Sequence, residues 1–209
     1  MTDRPVTKAR QRRPEARPAE ILGAALALFA EKGFTATRME DVAARAGLSK
    51  AAIYLYFDDK MALLRALVRE TVGANLAVAG TLADGHEGPV GPLLRQIITF
   101  MAGQIRHTRL PELVKIVISE SRAHPEIGRL YLDNVIRNGL PLFERLIARG
   151  IAAGEFRTVD PRSAAKSLIA PMLLGAIWKT VFEPIGAEEL DVEALAQQHV
   201  DIVLRGIAA

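Results

Sequence analysis

The sequence predicts an all-α chain of about nine helices, arranged as a small N-terminal head followed by a larger C-terminal helical domain. Three observations predict it. Apolar residues recur at three- and four-residue intervals through most of the 209 residues. No segment of useful length alternates with the period of a strand, and no stretch repeats. The breaks between periodic segments are short clusters of Gly, Pro and polar residues, of the kind that join packed helices. Half of the residues are hydrophobic and 24% are charged, an ordinary globular balance that supports a packed core.

Residues 1–17 hold two prolines and six arginines or lysines against Asp3 and Glu15, and cannot bury enough apolar surface to order themselves. They are expected to form a disordered basic arm. A first helix is expected from Pro18 to Lys32, with Pro18 near its start, Gly33 just past its end, and Ile21, Leu22, Ala25, Leu28 and Phe29 on one face. "TRME" opens a second helix, with Thr37 expected to cap it and Glu40 to return the hydrogen bond. Gly47 ends that helix. Ser49 is the expected cap of a third helix, about Lys50 to Tyr56, and Asp58 or Asp59 caps a fourth running to about Thr81. Five more helices are expected, at about 89–106, 110–123, 125–153, 161–182 and 192–206. Pro141 and Pro171 fall inside two of them and should kink them.

Charge and composition narrow the function. Up to Lys60 there are 11 Lys and Arg against 8 Asp and Glu, and beyond it 16 against 16, so the basic excess lies wholly in the N-terminal part. That points to a polyanionic partner for the head. The chain has no cysteine, which excludes disulfides, thiol catalysis and cysteine-ligated zinc. No run of 18 apolar uncharged residues and no signal-peptide pattern is present, so a cytoplasmic protein without a membrane partner is expected. Neither a nucleophile elbow nor a phosphate-cradling glycine loop occurs, so no enzyme, cofactor or metal is expected. Glu120 and His124 stand four apart, but without a second pair an interhelical hydrogen bond is the better reading than a metal site.

Helix, glycine turn, short helix over residues 18–65 is the pattern of a helix-turn-helix, whose second helix enters the major groove. That helix needs a small outer face flanked by phosphate-binding groups. In "LSKAAIYLYFDDK" Ala51 and Ala52 are small, Lys50 can reach a guanine edge or a phosphate, and Tyr54 and Tyr56 offer hydroxyls. Ile53 and Phe57, with Leu48, face inward. Lys60 adds a cation in the first turn of the next helix, whose amides also face an anion.

The stretch from about Ala19 to Leu67, "AALALFAEKGFTATRMEDVAARAGLSKAAIYLYFDDKMALLRAL" within it, resembles the TetR family of bacterial transcriptional regulators. The resemblance implies DNA contact at Thr37, Arg38, Ser49, Lys50, Ala51, Tyr54, Tyr56 and Lys60. It also implies an all-α homodimer paired through its last two long helices, with an effector pocket in residues 66–209 coupled to the spacing of the two heads. Candidates for that pocket are Phe100, Gln104, Tyr131, Asn134, Asn138, Met172 and Trp178, with Asn134 and Asn138 one turn apart on one wall. The expected protein is a repressor that binds a pseudo-palindromic operator and is released by a small apolar or amphipathic molecule. Two other readings are an all-α ligand-binding or enzymatic protein on the same fold and a nonspecific DNA-binding protein. Missing catalytic residues weigh against the first, and the neutral C-terminal part against the second.

Overall fold

The computed structural model describes residues 17–209, and the basic arm, apart from Arg17, lies outside the described residues. Nine helices run through them, the first broken near its end at Gly33. The head comprises α1 (Arg17–Ala36), α2 (Met39–Arg45), α3 (Lys50–Ile53) and the first part of α4. Helix α4 starts at Lys60–Val68, passes through a π turn at Arg69–Gly73 and continues as Ala74–Asp84. Helices α5 (Val90–His107) and α6 (Leu110–Glu120) follow. Helix α7 is Pro125–Tyr131, a π turn at Leu132–Ile136, and Arg137–Ala152. Helix α8 is Pro161–Ile177, a π turn at Trp178–Phe182 and a 3₁₀ turn at Glu183–Ile185, and α9 is Val192–Ile207.

The helix ends follow local chemistry. Ser49 Oγ accepts the amide of Ala52 at 3.2 Å, and Asp59 Oδ1 accepts that of Ala62 at 2.7 Å. Gly47, at φ +68°, takes the left-handed turn that ends the second helix. The start of α2 differs from expectation. Thr37 does not cap it: its hydroxyl points inward and donates to the carbonyls of Gly33 (2.7 Å) and Leu28 (3.3 Å), and the residue is 1% exposed. Arg38 is the N-cap residue, and Asp41 rather than Glu40 returns to its amide, at 3.1 Å. A buried threonine must satisfy its hydroxyl, and the carbonyls freed where α1 breaks at Gly33 are the nearest acceptors.

Both internal prolines sit within helical turns, and the irregularities lie elsewhere. Pro171 cannot supply the donor that the Ser167 carbonyl would otherwise receive, and His199 Nε2 on α9 donates to that carbonyl at 2.8 Å instead. The π turn at Leu132–Ile136 immediately precedes Arg137, whose carbonyl faces Pro141.

Two buried clusters form. One lies in the C-terminal domain around Leu94, Ile97, Ile98, Phe143 and Ile147. The other joins the head, through Ile21, Phe29, Val42, Ile53 and Leu64, to Leu113, Ile116 and Val117 of α6 and Ile127 of α7. The head core is therefore continuous with one corner of the larger domain. Near its other end, Gly150 on α7 approaches Phe156 so closely that an added Cβ would lie 2.3 Å from the ring, whereas a Cβ at Gly23 on α1 meets nothing within 4 Å. Gly150→Ala is expected to lower stability by about 1–3 kcal/mol through overpacking. Gly23→Ala, at an exposed position of α1, is expected to raise it by about 0.4–1 kcal/mol. Thermal unfolding of the two variants checks the contrast.

Candidate nucleic-acid interface and cavity

The α3 helix is short, but its hydrogen bonding continues one turn further: the amides of Tyr56 and Phe57 reach the Ile53 carbonyl at 3.0 and 3.1 Å. Ile53 is fully buried, with Phe57 and Leu48 packed beside it, so the opposite face is presented to solvent. Ser49, Lys50 and Ala51 are exposed, and Tyr54 and Tyr56 are 43% and 41% exposed. Arg38, at the start of the bracing helix α2, is also exposed and makes no ion pair among the described residues. Sequence reading and structure thus bring Arg38, Ser49, Lys50, Ala51, Tyr54 and Tyr56 to the outer surface of the head. Thr37 is not among them.

Most of the head's other cations are engaged within the fold. Arg45 pairs bidentately with Glu31 at 2.6 and 2.8 Å, and Lys32 pairs with Asp41. Lys50 Nζ lies 2.7 Å from Glu40, linking α3 to α2. The pair holds the Glu40 carboxyl below and the Lys50 ammonium above their ordinary values, in each case chiefly through this hydrogen bond. Both side chains are exposed, so a phosphate can draw Lys50 away at little cost.

Lys60 departs furthest from expectation. Its ammonium does not face outward as a free phosphate ligand. It donates to the carbonyls of Phe34 (2.7 Å) and Thr35 (3.1 Å) and sits 4.7 Å from the centre of the Phe34 ring. Partial burial pulls its pKa below the ordinary lysine value, opposed by the nearby Glu120 carboxylate. Glu120 holds the same turn from the other side, accepting the Phe34 amide and the Thr35 hydroxyl, each at 3.1 Å. With its own hydrogen given to Glu120, the Thr35 oxygen receives Nε2–H of His124 at 2.9 Å, and the His124 ring lies edge-on to Phe34 at 5.5 Å. Gly33 is required here twice over: its φ is +84°, and a Cβ would meet Glu120 Oε1 at 2.9 Å. The Glu120–His124 pair is an interhelical contact, as its spacing suggested.

Below the head lies a cavity of about 420 Å³ walled by α4, α5, α6, α7 and α8. Its surface is mostly apolar, with Leu76, Ile105, Val114, Phe143 and Ile169 among the walls. Gln104, Tyr131 and Met172 line it as expected. Asn75 and Lys166, which sequence reading passed over, add polar groups. Burial raises the Tyr131 pKa, so its phenol remains a neutral donor. Four expected residues do not line the cavity. Asn134 and Asn138 are exposed and turn their amides onto the carbonyls of Leu130, Asp133 and Asn134. The π turn at Leu132–Ile136 inserts a residue and rotates the helix, so Val135, Ile136 and Gly139 face inward in their place. Trp178 donates to the Glu188 carbonyl at 2.9 Å and packs at a tilt against Phe182, while Phe100 gives way to Met101 and Gln104 on the inner face of α5. A second hollow, of about 500 Å³ beside His86 and Arg149, is a structural corner: its Glu155 already caps α5 by accepting the amides of Val90 and Gly91.

A family model described as bacterial regulatory proteins of the tetR family matches residues 21–67. A second, described as the C-terminal domain of AefR-like transcriptional repressors, matches residues 92–206, more than half of the chain. The chain belongs to the TetR family. It is a helix-turn-helix, DNA-binding transcriptional regulator, in keeping with its similarity to proteins named as helix-turn-helix regulators along nearly its whole length. The regulator YfiR of Bacillus subtilis is 27% identical over 192 residues, covering 91% of each chain. The repressor KstR2 of Rhodococcus jostii is 25% identical over 203 residues, covering 92% of each. FadR of Bacillus subtilis, solved in complex with stearoyl-CoA, superposes with a TM-score of 0.74 at 21% identity, over 90% of this chain and 98% of that one. At that identity the likeness is one of fold.

The engagement of Lys60 sets an expectation that differs from a pure phosphate ligand. Lys60→Ala is expected to destabilise the TetR-type head by about 1–3 kcal/mol, because a charged donor and its ring contact are lost. Urea or thermal unfolding measures it, and an unchanged midpoint contradicts the clamp.

Proposed function

We propose that the protein is a homodimeric repressor that binds a pseudo-palindromic operator and leaves it when an apolar or amphipathic small molecule fills the cavity. One observation carries this reading. A single helix, α4, begins seven residues after α3 ends, capped by Asp59 with Lys60 in its first turn, and runs on to supply Val72, Asn75, Leu76 and Ala79 to the cavity wall. Any molecule that spreads that wall moves the helix on which the head is mounted. Such a ligand acts only by favouring one head spacing over the other, a coupling of about 1–3 kcal/mol in typical cases.

On the DNA side, Arg38, Tyr54 and Tyr56 are assigned to phosphates and Lys50 to a phosphate or a guanine edge once it leaves Glu40. Ser49 and Ala51 lie at the groove-facing start of α3. Dimerisation is supported by an apolar face that one chain leaves open. On α8 and its extension Leu173, Leu174, Phe182 and Ile185 are 51%, 46%, 39% and 78% exposed, and Ile202 on α9 is 69% exposed. The most apolar stretch within Pro161–Ile185 has membrane-spanning length and composition yet is only 28% buried in one chain. A second copy packed helix against helix accounts for that surface better than a bilayer, since Lys166 and Lys179 interrupt it.

The effector is assigned by the wall chemistry: a mainly apolar body with one polar end held by Asn75, Gln104 or the Tyr131 phenol, and Lys166 at the rim to meet an anionic group. The stearoyl-CoA bound by FadR fits this class without identifying the molecule.

Two measurements test the proposal on an operator selected from random duplexes by the full-length protein. Arg38→Ala is expected to weaken binding on all sequences and to reduce the salt slope by about one, whereas Tyr54→Phe weakens binding with the slope unchanged. For the effector, C8–C18 fatty acids and alcohols are screened for a rise in melting temperature and for release of the operator. Ile105→Trp, which adds bulk to the cavity wall from α5 at a buried position away from the open α8–α9 face, is expected to keep operator affinity and lose the response. Ligands that stabilise the protein while leaving operator occupancy unchanged contradict release.

A further inference from the structure

Leu55 is the most exposed large apolar side chain among the described residues, at 84%. Its place on the helix gives that exposure meaning. Residues advance roughly 100–120° per step through α and 3₁₀ turns, and the Leu55 and Tyr56 amides, each bonded three residues back, and the Phe57 amide, bonded four back, carry the chain around the same axis past Ile53. Ala51 and Leu55 then share one stripe, and that stripe lies directly opposite the fully buried Ile53. Lys50 and Tyr54 lie along one flank of it, and Ala52 and Tyr56 along the other. The outermost line of the head is therefore apolar, with a tyrosine hydroxyl on each side. Ala51 is too short to hide Leu55, and the side chain belongs to neither buried cluster.

We infer that Leu55 is a base-reading residue of this regulator and that it selects a thymine by its 5-methyl group. The inference rests on the operator-binding reading above. With the flanking tyrosines set toward the two phosphate walls, the Ala51–Leu55 stripe faces the floor of the major groove. Leucine has no donor or acceptor. Against adenine N6, cytosine N4 or the guanine N7 and O6 edge it would strip water from a polar group and return no hydrogen bond. The thymine methyl is the one major-groove feature whose burial against a leucine is favourable. This assigns sequence selectivity to a helix whose alanines leave it few other side chains able to reach a base.

The test uses the full-length protein and its selected operator, with each thymine of a half-site replaced in turn by deoxyuridine, which removes only the methyl. For the wild-type protein one position, repeated in each half-site, is expected to lose about fourfold in affinity per half-site, the worth of one buried methyl-sized group. Leu55→Ala is expected to bind the unmodified operator that much more weakly and to show no response to deoxyuridine there. Leu55→Met, which keeps an apolar reach, restores the response. Because Leu55 packs in neither core, its variants should keep the wild-type circular dichroism and melting temperature. A preferred duplex on which wild type and Leu55→Ala show the same response at every thymine overturns this inference alone. Random duplexes that yield no preferred sequence overturn the operator reading and this one together.

Discussion

The arrangement of head and body depends on one turn of backbone, Phe34–Thr35, gripped from two sides. Lys60 takes its carbonyls and Glu120 takes the Phe34 amide and the Thr35 hydroxyl. The turn exists because α1 breaks at Gly33, which exposes backbone groups that a continuous helix would have paired internally. Those groups must find partners, and they find one on α4 and one at the end of α6. Two opposite charges thus meet through a neutral turn instead of in direct contact, with the Phe34 ring between the ammonium and His124. The two bonds to Phe34 are partly shielded from water, where a charged hydrogen bond retains more of its strength than on an open surface, while the two to Thr35 are exposed.

This grip explains why the two ends of the molecule can be coupled at all. Helix α6 gives Leu113, Ile116 and Val117 to the head cluster, Leu110 and Val114 to the cavity wall, and Glu120 to the turn. Helix α4 likewise carries Lys60 at one end and Leu76 and Ala79 at the other. Two rods therefore leave the cavity and converge on the same two residues. In the proposed mechanism a displacement of either wall is transmitted as a change in head angle, because close-packed interfaces shift between discrete arrangements more readily than they deform. The π turn at Arg69–Gly73 lies between the two parts of α4, with the looser backbone bonding found in such turns.

Much of this could be read from the sequence, and the failures share a cause. Ser49 and Asp59 were legible as caps because a cap is decided within three residues. The inward set of Ile53, Phe57 and Leu48 followed from helical period alone. Thr37 was misread because its alternative partners, the Leu28 and Gly33 carbonyls, appear only when α1 breaks and folds back. Lys60 looked like a free cation because its acceptors lie 25 and 26 residues upstream. Asn134 and Asn138 were placed on the cavity wall by an unbroken 3.6-residue period, which a single π turn defeats. An isolated leucine such as Leu55 reads as core until its exposure is seen. Local pairing and period are sequence properties, whereas long-range polar partners and register slips belong to the folded chain.

The central claim is that Glu120, through the Phe34–Thr35 turn, holds the head at a fixed angle to the body. The chain has no cysteine, so spin labels can be placed singly at Asp58→Cys in the head and Ala148→Cys on α7, both exposed. Electron–electron distance measurement, with labelled chains diluted into unlabelled ones, then reads the head–body separation directly. A narrow distribution that broadens clearly on Glu120→Ala, with the helix content unchanged, is the predicted result. Distributions that superpose with and without the Glu120 carboxylate would contradict the account.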